Sequence, residues 1–78
     1  MTPMVPVRVR ADDVAIRIDT LEQALRYARE NPRPKGDYEG MIRRLEAASE
    51  PEDVLEAGNA FRWWAESNAL AVEPGLPE

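Results

Sequence analysis

Hydrophobic and polar residues alternate strictly at the start of the chain. Val5, Val7 and Val9 are interleaved with Pro6, Arg8 and Arg10, and Val14, Ile16 and Ile18 with Ala15 and Arg17. Both runs have period two and are rich in β-branched residues, the signature of half-buried strands. Ala11-Asp12-Asp13 lies between them and supplies turn chemistry, so the pattern predicts a β-hairpin with one apolar face. A two-residue turn at Asp12-Asp13 sets Val9 opposite Ile16 and Val7 opposite Ile18 on the buried side. It also sets Arg8 opposite Arg17 on the outer side, with Arg10 diagonal to them. That pairing of like charges is unfavourable, and Asp-Asp is a weak two-residue turn. Pro6 has no N–H to give a ladder, which predicts that the first strand lies at a sheet edge.

The period then changes to that of a helix. Leu21, Ala24, Leu25 and Ala28 recur at i, i+3, i+4 and i+7 and form one apolar stripe. Thr20 with Gln23, or Asp19 with Glu22, offers a capping box at its start, and Asn31-Pro32 ends it near Glu30. Asn31-Pro32-Arg33-Pro34-Lys35-Gly36 reads as a stiffened loop with a turn at its glycine. Asp37 is an N-cap candidate for a second helix carrying Tyr38, Met41, Ile42 and Leu45. Gly40 lowers that helix's intrinsic stability by about 1 kcal/mol relative to Ala, which signals close packing or fraying. Ser49 and Glu52 match a capping box around Pro51, a residue tolerated in a first turn. The third helix is expected to run to about Asn68, a residue suited to a left-handed C-terminal position. Leu70-Ala71-Val72 alternates again and offers a short third strand returning to the hairpin. Glu73 to Glu78, with Pro74, Gly75 and Pro77, reads as a frayed tail. The expected architecture is a single small α+β domain over residues 1–78: an N-terminal β-hairpin packed by three α-helices in the order β-β-α-α-α, optionally closed by a final short β.

Phe61-Arg62-Trp63-Trp64 places both tryptophans of the chain side by side on the third helix. Successive residues project about 100° apart, so the two cannot face one core. With Val54, Ala57, Gly58, Phe61 and Ala65 defining the apolar face, Trp64 falls at its border. Trp63 falls opposite its centre, near Glu56, Asn59 and Ser67. The expectation is that Trp64 packs at the edge of the core. Trp63 is either a surface aromatic or an anchor for another chain, a role in which Trp is enriched.

Composition removes most chemistry. With no Cys and no His there is no disulfide framework, no thiolate or imidazole metal site and no histidine base for a nucleophilic triad. The four glycines lack phosphate-loop spacing, and nothing resembles a calcium loop. Glu50, Glu52, Asp53 and Glu56 suit the positive end of a helix dipole better than an acid–base pair. No cofactor, metal or small-molecule substrate is expected, and the chain reads as a non-enzyme. No apolar run reaches membrane-span length and the N-terminus does not read as a signal peptide. The expectation is a soluble, cytoplasmic protein without a membrane partner.

The net charge of -5 is unevenly distributed. Residues 1–44 hold nine Lys/Arg against seven Asp/Glu, whereas residues 45–78 hold one against eight. Arg8, Arg10 and Arg17 share the expected outer sheet face, and Arg33, Lys35, Arg43 and Arg44 form a second basic candidate around the loop and second helix. Nucleic acid is a weak expectation for an acidic chain with no recognition motif and no pattern of aromatic residues interleaved with the cations.

The order "VPVRV", "IDTLEQAL", "NPRPKGDY", "EDVLEAGNAF" and "NALAV" resembles small bacterial proteins of the domain of unknown function 982 family, over about Val5 to Val72. Members typically carry Trp-Pro where this chain has Asn31-Pro32. They often have a cysteine in the second helix, and favour small residues where this chain has Trp63 and Trp64. The resemblance implies a small α+β fold and brings no activity or functional residues. The leading functional expectation is a protein–protein interaction module, homodimeric, using the Trp63 side of the third helix or a sheet edge, with Trp63, Glu56, Asn59, Ser67, Arg8, Arg10 and Arg17 as the interface candidates. The first alternative is an acidic regulator or inhibitor of a nucleic-acid machine, such as an anti-CRISPR-like accessory protein of a phage or mobile element. The second alternative is nucleic-acid binding through the Arg/Lys cluster.

Overall fold

A computed structural model describes residues 2–11 and 13–72 of the chain. The order is β1 (Pro3–Ala11), β2 (Val14–Thr20), α1 (Leu21–Glu30), α2 (Tyr38–Ala47) and α3 (Pro51–Ser67), an α+β fold in which α1 packs on β2, α3 packs on β1, and α2 packs on the other two helices rather than on the hairpin as expected. The expected tail, residues 73–78, lies outside the described residues.

β1 and β2 pair antiparallel with Val7↔Ile18, Arg8↔Arg17, Val9↔Ile16, Arg10↔Ala15 and Ala11↔Val14. This is the register that a two-residue connection dictates, and it keeps Arg8 opposite Arg17 despite the like charges. Toward the N-terminus the ladder breaks. Between Pro3↔Thr20 and Val7↔Ile18, β1 has Met4, Val5 and Pro6 where β2 has only Asp19. The bulge absorbs Pro6 and resets the alternation, so that Met4 and Val7 are both buried while Val5 is 62% exposed.

β1 is an edge strand at Pro6, as expected, in a two-stranded sheet, but its later part is covered. The Arg10 N–H donates to Leu70 O (2.9 Å) and the Val72 N–H to Arg8 O (2.8 Å), around a single bridge Val9↔Ala71. The third strand offered by the sequence is thus one bridge long, and β1 lies between it and β2 over Arg8–Arg10. The expected burial of the whole apolar hairpin face also needs correction. Val9 is fully buried, but Ile16 opposite it is 36% exposed and Val14 61%. The helices cover β1 and the Thr20 end of β2 and leave the hairpin-tip end of β2 open.

The Thr20–Gln23 capping box forms: the Gln23 N–H donates to Thr20 Oγ1 (3.1 Å), and Gln23 Oε1 accepts the N–H groups of Thr20 (3.2 Å) and Asp19 (2.9 Å). Glu22, the rival capping residue, instead accepts the Thr2 N–H (2.9 Å). That bond holds its carboxyl below the usual glutamate range. Tyr27 replaces Leu25 in the buried stripe of α1 because its hydroxyl reaches across to donate to Arg10 O. Asp37 caps α2 from a left-handed conformation (φ 56°), accepting the Gly40 N–H at Oδ1 (3.3 Å). A Cβ on Gly40 would lie 2.2 Å from Asp37 Oδ2, so this glycine makes room for the cap.

Two expected caps of α3 are not made. The N-cap is Glu50, with Pro51 opening the helix and no side-chain bond, so the Ser49–Glu52 box does not form. At the other end Asn68 has φ −104° and Ala69 takes the left-handed position at φ 59°. The Asn68 amide is committed elsewhere: Nδ2 donates to Lys35 O (2.8 Å) and Trp64 O (2.7 Å), and Oδ1 accepts the Lys35 N–H (3.3 Å). This clip ties the loop before α2 to the end of α3.

Phe61, Trp64, Met41 and Val9 are the largest fully buried side chains. Trp64 is therefore central to the core, not at its border. Its ring packs against Tyr27, Phe61 and Tyr38 at centroid distances of 6.3, 5.8 and 6.0 Å, and Nε1–H donates to Arg33 O (3.2 Å). The loop folds over that flank of α3 and closes it.

Candidate functional site

Helix geometry sends Trp63 to the side of α3 opposite Phe61, and it is 59% exposed. The structure sets it at the rim of a shallow recess of about 300 Å³ with Asn59 and Ala60 of its own helix, Met41 and Arg44 of α2, and Gly36 and Asp37. Asn59 and Trp63 are thus brought together as the helical spacing predicts. Ser67 is half-buried against Gly36, with its Oγ within 3.3 Å of where a Gly36 Cβ would stand. Glu56 is exposed about two turns before Trp63 and does not line the recess. Arg44 and Asp37 were not legible as neighbours of Trp63, because the α2–α3 packing that delivers them is long-range.

Arg8, Arg10 and Arg17 share the outer sheet face and are all exposed. Arg17 also approaches Asp19 (3.7 Å). The second basic group does not gather in one place. Arg33 lines a recess with Pro34 and Tyr38, Arg43 one with Arg29 and Ile42, and Arg44 the recess beside Trp63. The Lys35 backbone is held by Asn68. Arg43 and Arg44, adjacent on a helix, project about 100° apart, which is why sequence proximity misleads here.

A feature missed in the sequence is an apolar groove of about 620 Å³ between the N-terminal half of β1 and the first turns of α3. Met4, Val5, Val7, Val54, Leu55 and Gly58 line it. Val5 and Leu55 flank it at 62% and 55% exposure. The bulge at Pro6 turns Val5 outward and Met4 inward, and no local pattern announces that.

Among the described residues no group of three or more His, Cys, Asp or Glu is placed to hold a metal ion. Every deeply buried side-chain polar atom among them has a partner. Burial pushes the Tyr27 hydroxyl above its usual range, with Arg33 opposing, but that hydroxyl is used by Arg10 O. No described helix is long and apolar enough to cross a membrane. Compared with known proteins, the chain matches no family model, no curated protein and no solved structure.

Proposed function

We propose that this chain is a non-enzymatic protein–protein interaction module that acts as a homodimer and presents Trp63 to a protein surface. The observation that carries this reading is a tryptophan 59% exposed on a helix whose next residue, Trp64, is fully buried. A large apolar side chain is held in solvent on a rigid backbone, flanked by Arg44, Asp37 and Asn59 as a polar rim. Buried aromatic anchors with polar rims are what carry binding energy at protein interfaces. The resemblance to the domain of unknown function 982 family belongs to the same proposal, resting on the motifs quoted above.

The alternative of an acidic regulator of a nucleic-acid machine draws on one observation: Glu50, Glu52, Asp53 and Glu56 are all exposed along the first half of α3. Such a strip suits a basic protein surface. The test for the leading reading is quantitative capture of protein partners by the wild-type chain and by Trp63→Ala, with thermal melts run in parallel. A partner retained by wild type and lost by an equally stable Trp63→Ala supports the reading. Equal capture by both removes Trp63 from it.

A further inference from the structure

The two edges of the sheet are treated very differently. The outer edge of β1 carries Pro3, Pro6 and a bulge, and Leu70–Val72 covers Arg8–Arg10. These are devices that block edge-to-edge pairing. β2, Val14-Ala15-Ile16-Arg17-Ile18-Asp19-Thr20, has no proline and no bulge of its own. Arg8 and Arg10 direct their backbone groups toward Leu70 and Val72. Their partners Arg17 and Ala15 are therefore non-hydrogen-bonded positions whose N–H and C=O point away from β1. No other described segment hydrogen-bonds to them. On the inner face of this same edge, Val14 and Ile16 are exposed.

We infer that β2 is the homodimer interface, pairing antiparallel with β2 of a second copy about a two-fold axis at Ile16. This rests on the reading of the chain as a self-associating interaction module and supplies the surface for it. The register follows from elimination. The edge-facing backbone groups belong to Ala15, Arg17 and Asp19, but the Asp19 N–H is already taken by Gln23 Oε1. Placing Arg17 opposite Arg17 of the second copy would confront like charges and require Asp19. Placing Arg17 opposite Asp19 would also require Asp19. Centring on Ala15 would set Arg17 opposite Asp13 of the second copy, in the turn before β2, and leave Ile18 uncovered by that copy. Pairing Ala15 with Arg17 of the second copy uses only the free groups, each pair exchanging both of its N–H···O bonds.

That register sets Ile16 against Ile16 and Val14 against Ile18 of the second copy. The exposed apolar side chains of each copy are then covered by those of the other. On the outer face Ala15 lies beside the long Arg17, a small-against-large pair. Like charges directly opposite one another are confined to Asp13 with Asp19 at the strand ends, where Arg17 stands beside Asp19, while the Arg17 side chains of the two copies are diagonal neighbours. The hairpin becomes the half of a four-stranded sheet, which removes the marginality of two strands alone. A self-complementary patch of this kind is what a closed two-fold interface requires.

The chain has no cysteine, so single cysteine variants report cleanly. A non-hydrogen-bonded antiparallel pair holds its Cα atoms about 4.5 Å apart, within disulfide reach. Ile16→Cys is expected to form a covalent dimer under mild oxidation much faster than Trp63→Cys at the same concentration. Sedimentation equilibrium from micromolar to millimolar protein is expected to show a dimer. Ala15→Pro removes an edge donor without touching the β1 ladder and is expected to weaken the dimer by about tenfold or more, through hydrogen bonds lost in both copies. Added salt is expected to tighten the dimer, because it gathers the Arg faces of both copies. A strict monomer at millimolar concentration overturns both the interface and the homodimer reading. A dimer that Ala15→Pro leaves unchanged, that links equally through Trp63→Cys, or that salt dissociates overturns the β2 interface alone. The last result assigns self-association to the basic sheet face against the acidic α3.

Discussion

Replacing Gly36 by alanine tests the loop that frames the Trp63 recess. Gly36 has φ +76°, a conformation that costs an L-residue about 1–2 kcal/mol. An added Cβ would also stand 2.9 Å from Trp64 Cα and 3.3 Å from Ser67 Cβ and Oγ. The first of these is backbone of a buried helix and cannot swing aside, so the loop must lift, at an overpacking cost of about 1–3 kcal/mol. Lifting strains the Asn68 clip on Lys35 and the Trp64 bond to Arg33 as well. A total of about 2–5 kcal/mol is a large share of the roughly 4–12 kcal/mol available to a domain of this size. It corresponds to a fall in Tm of about 8–40 °C. Thermal denaturation followed by far-UV circular dichroism reads this directly. Gly58→Ala is the matched control. Its Cβ would meet only Met4, at ordinary distances of 3.6 and 3.9 Å, inside a helix where alanine gains about 1 kcal/mol. Its Tm is expected to rise. A Gly36→Ala protein melting within about 2 °C of wild type refutes the reasoning, since 1 kcal/mol already moves a domain of this size by about 4–8 °C.

Ala69 holds a left-handed conformation at φ 59°, so Ala69→Gly is expected to stabilise the chain by about 1 kcal/mol in denaturant titration; a loss of stability contradicts the assigned C-terminal geometry of α3. Tyr27→Phe removes the hydroxyl donated to Arg10 O and is expected to cost about 1–2 kcal/mol, measured by the same titration. Burial raises the Tyr27 ionisation in the folded state, so its contribution is fully present below the unfolded value, about pH 10, and is lost as pH rises through the folded one. Wild type is therefore expected to lose stability above about pH 10 more steeply than Tyr27→Phe, and parallel alkaline profiles count against a buried hydroxyl.

Elements defined by local pattern were legible. Period-two runs gave the hairpin and its register, and i, i+3, i+4 spacing gave three helices, with Thr20 and Asp37 as caps. What failed depended on distant partners. Trp64 lies at the border of α3's own apolar face, and only the loop at Arg33 and the ring of Tyr38 make it central. Ser49 matched a capping pattern, but Pro51 fixes the helix start so that Glu50 becomes the cap. Asn68 suited a left-handed position, but a side chain clamped to Lys35 leaves that position to Ala69. Alternation alone promised burial for Ile16 and Val14, because it identifies a face without saying how far the covering helices extend. The interaction surfaces share this limit. Trp63 followed from a helical wheel, whereas the groove beside Val5 arises from a bulge whose signal in the sequence is only Pro6.

The adjacent tryptophans allow the exposed one to be watched on its own. Trp64→Phe leaves Trp63 as the sole indole and keeps an aromatic ring beside Phe61 and Tyr27, losing the bond to Arg33 O and the buried volume by which the indole exceeds a phenyl ring. Its expected cost is about 2–3 kcal/mol, hydrogen bond and cavity together, and a thermal melt run alongside checks that the fold is kept. Trp63→Phe leaves the fully buried Trp64 alone. In dilute protein, emission from Trp64→Phe is expected to be red-shifted and readily quenched by acrylamide, and emission from Trp63→Phe blue-shifted and protected. As dimer forms through β2, Trp63 is expected to stay quenchable, because β2 and the recess beside α2 are separate surfaces. Binding of a partner at Trp63 shifts its emission to the blue while leaving Trp64 unchanged. If Trp63 becomes protected on dimerisation alone, the homodimer uses the α3 surface. If it is already protected in the dilute monomer, its own chain covers it and it is no anchor for another.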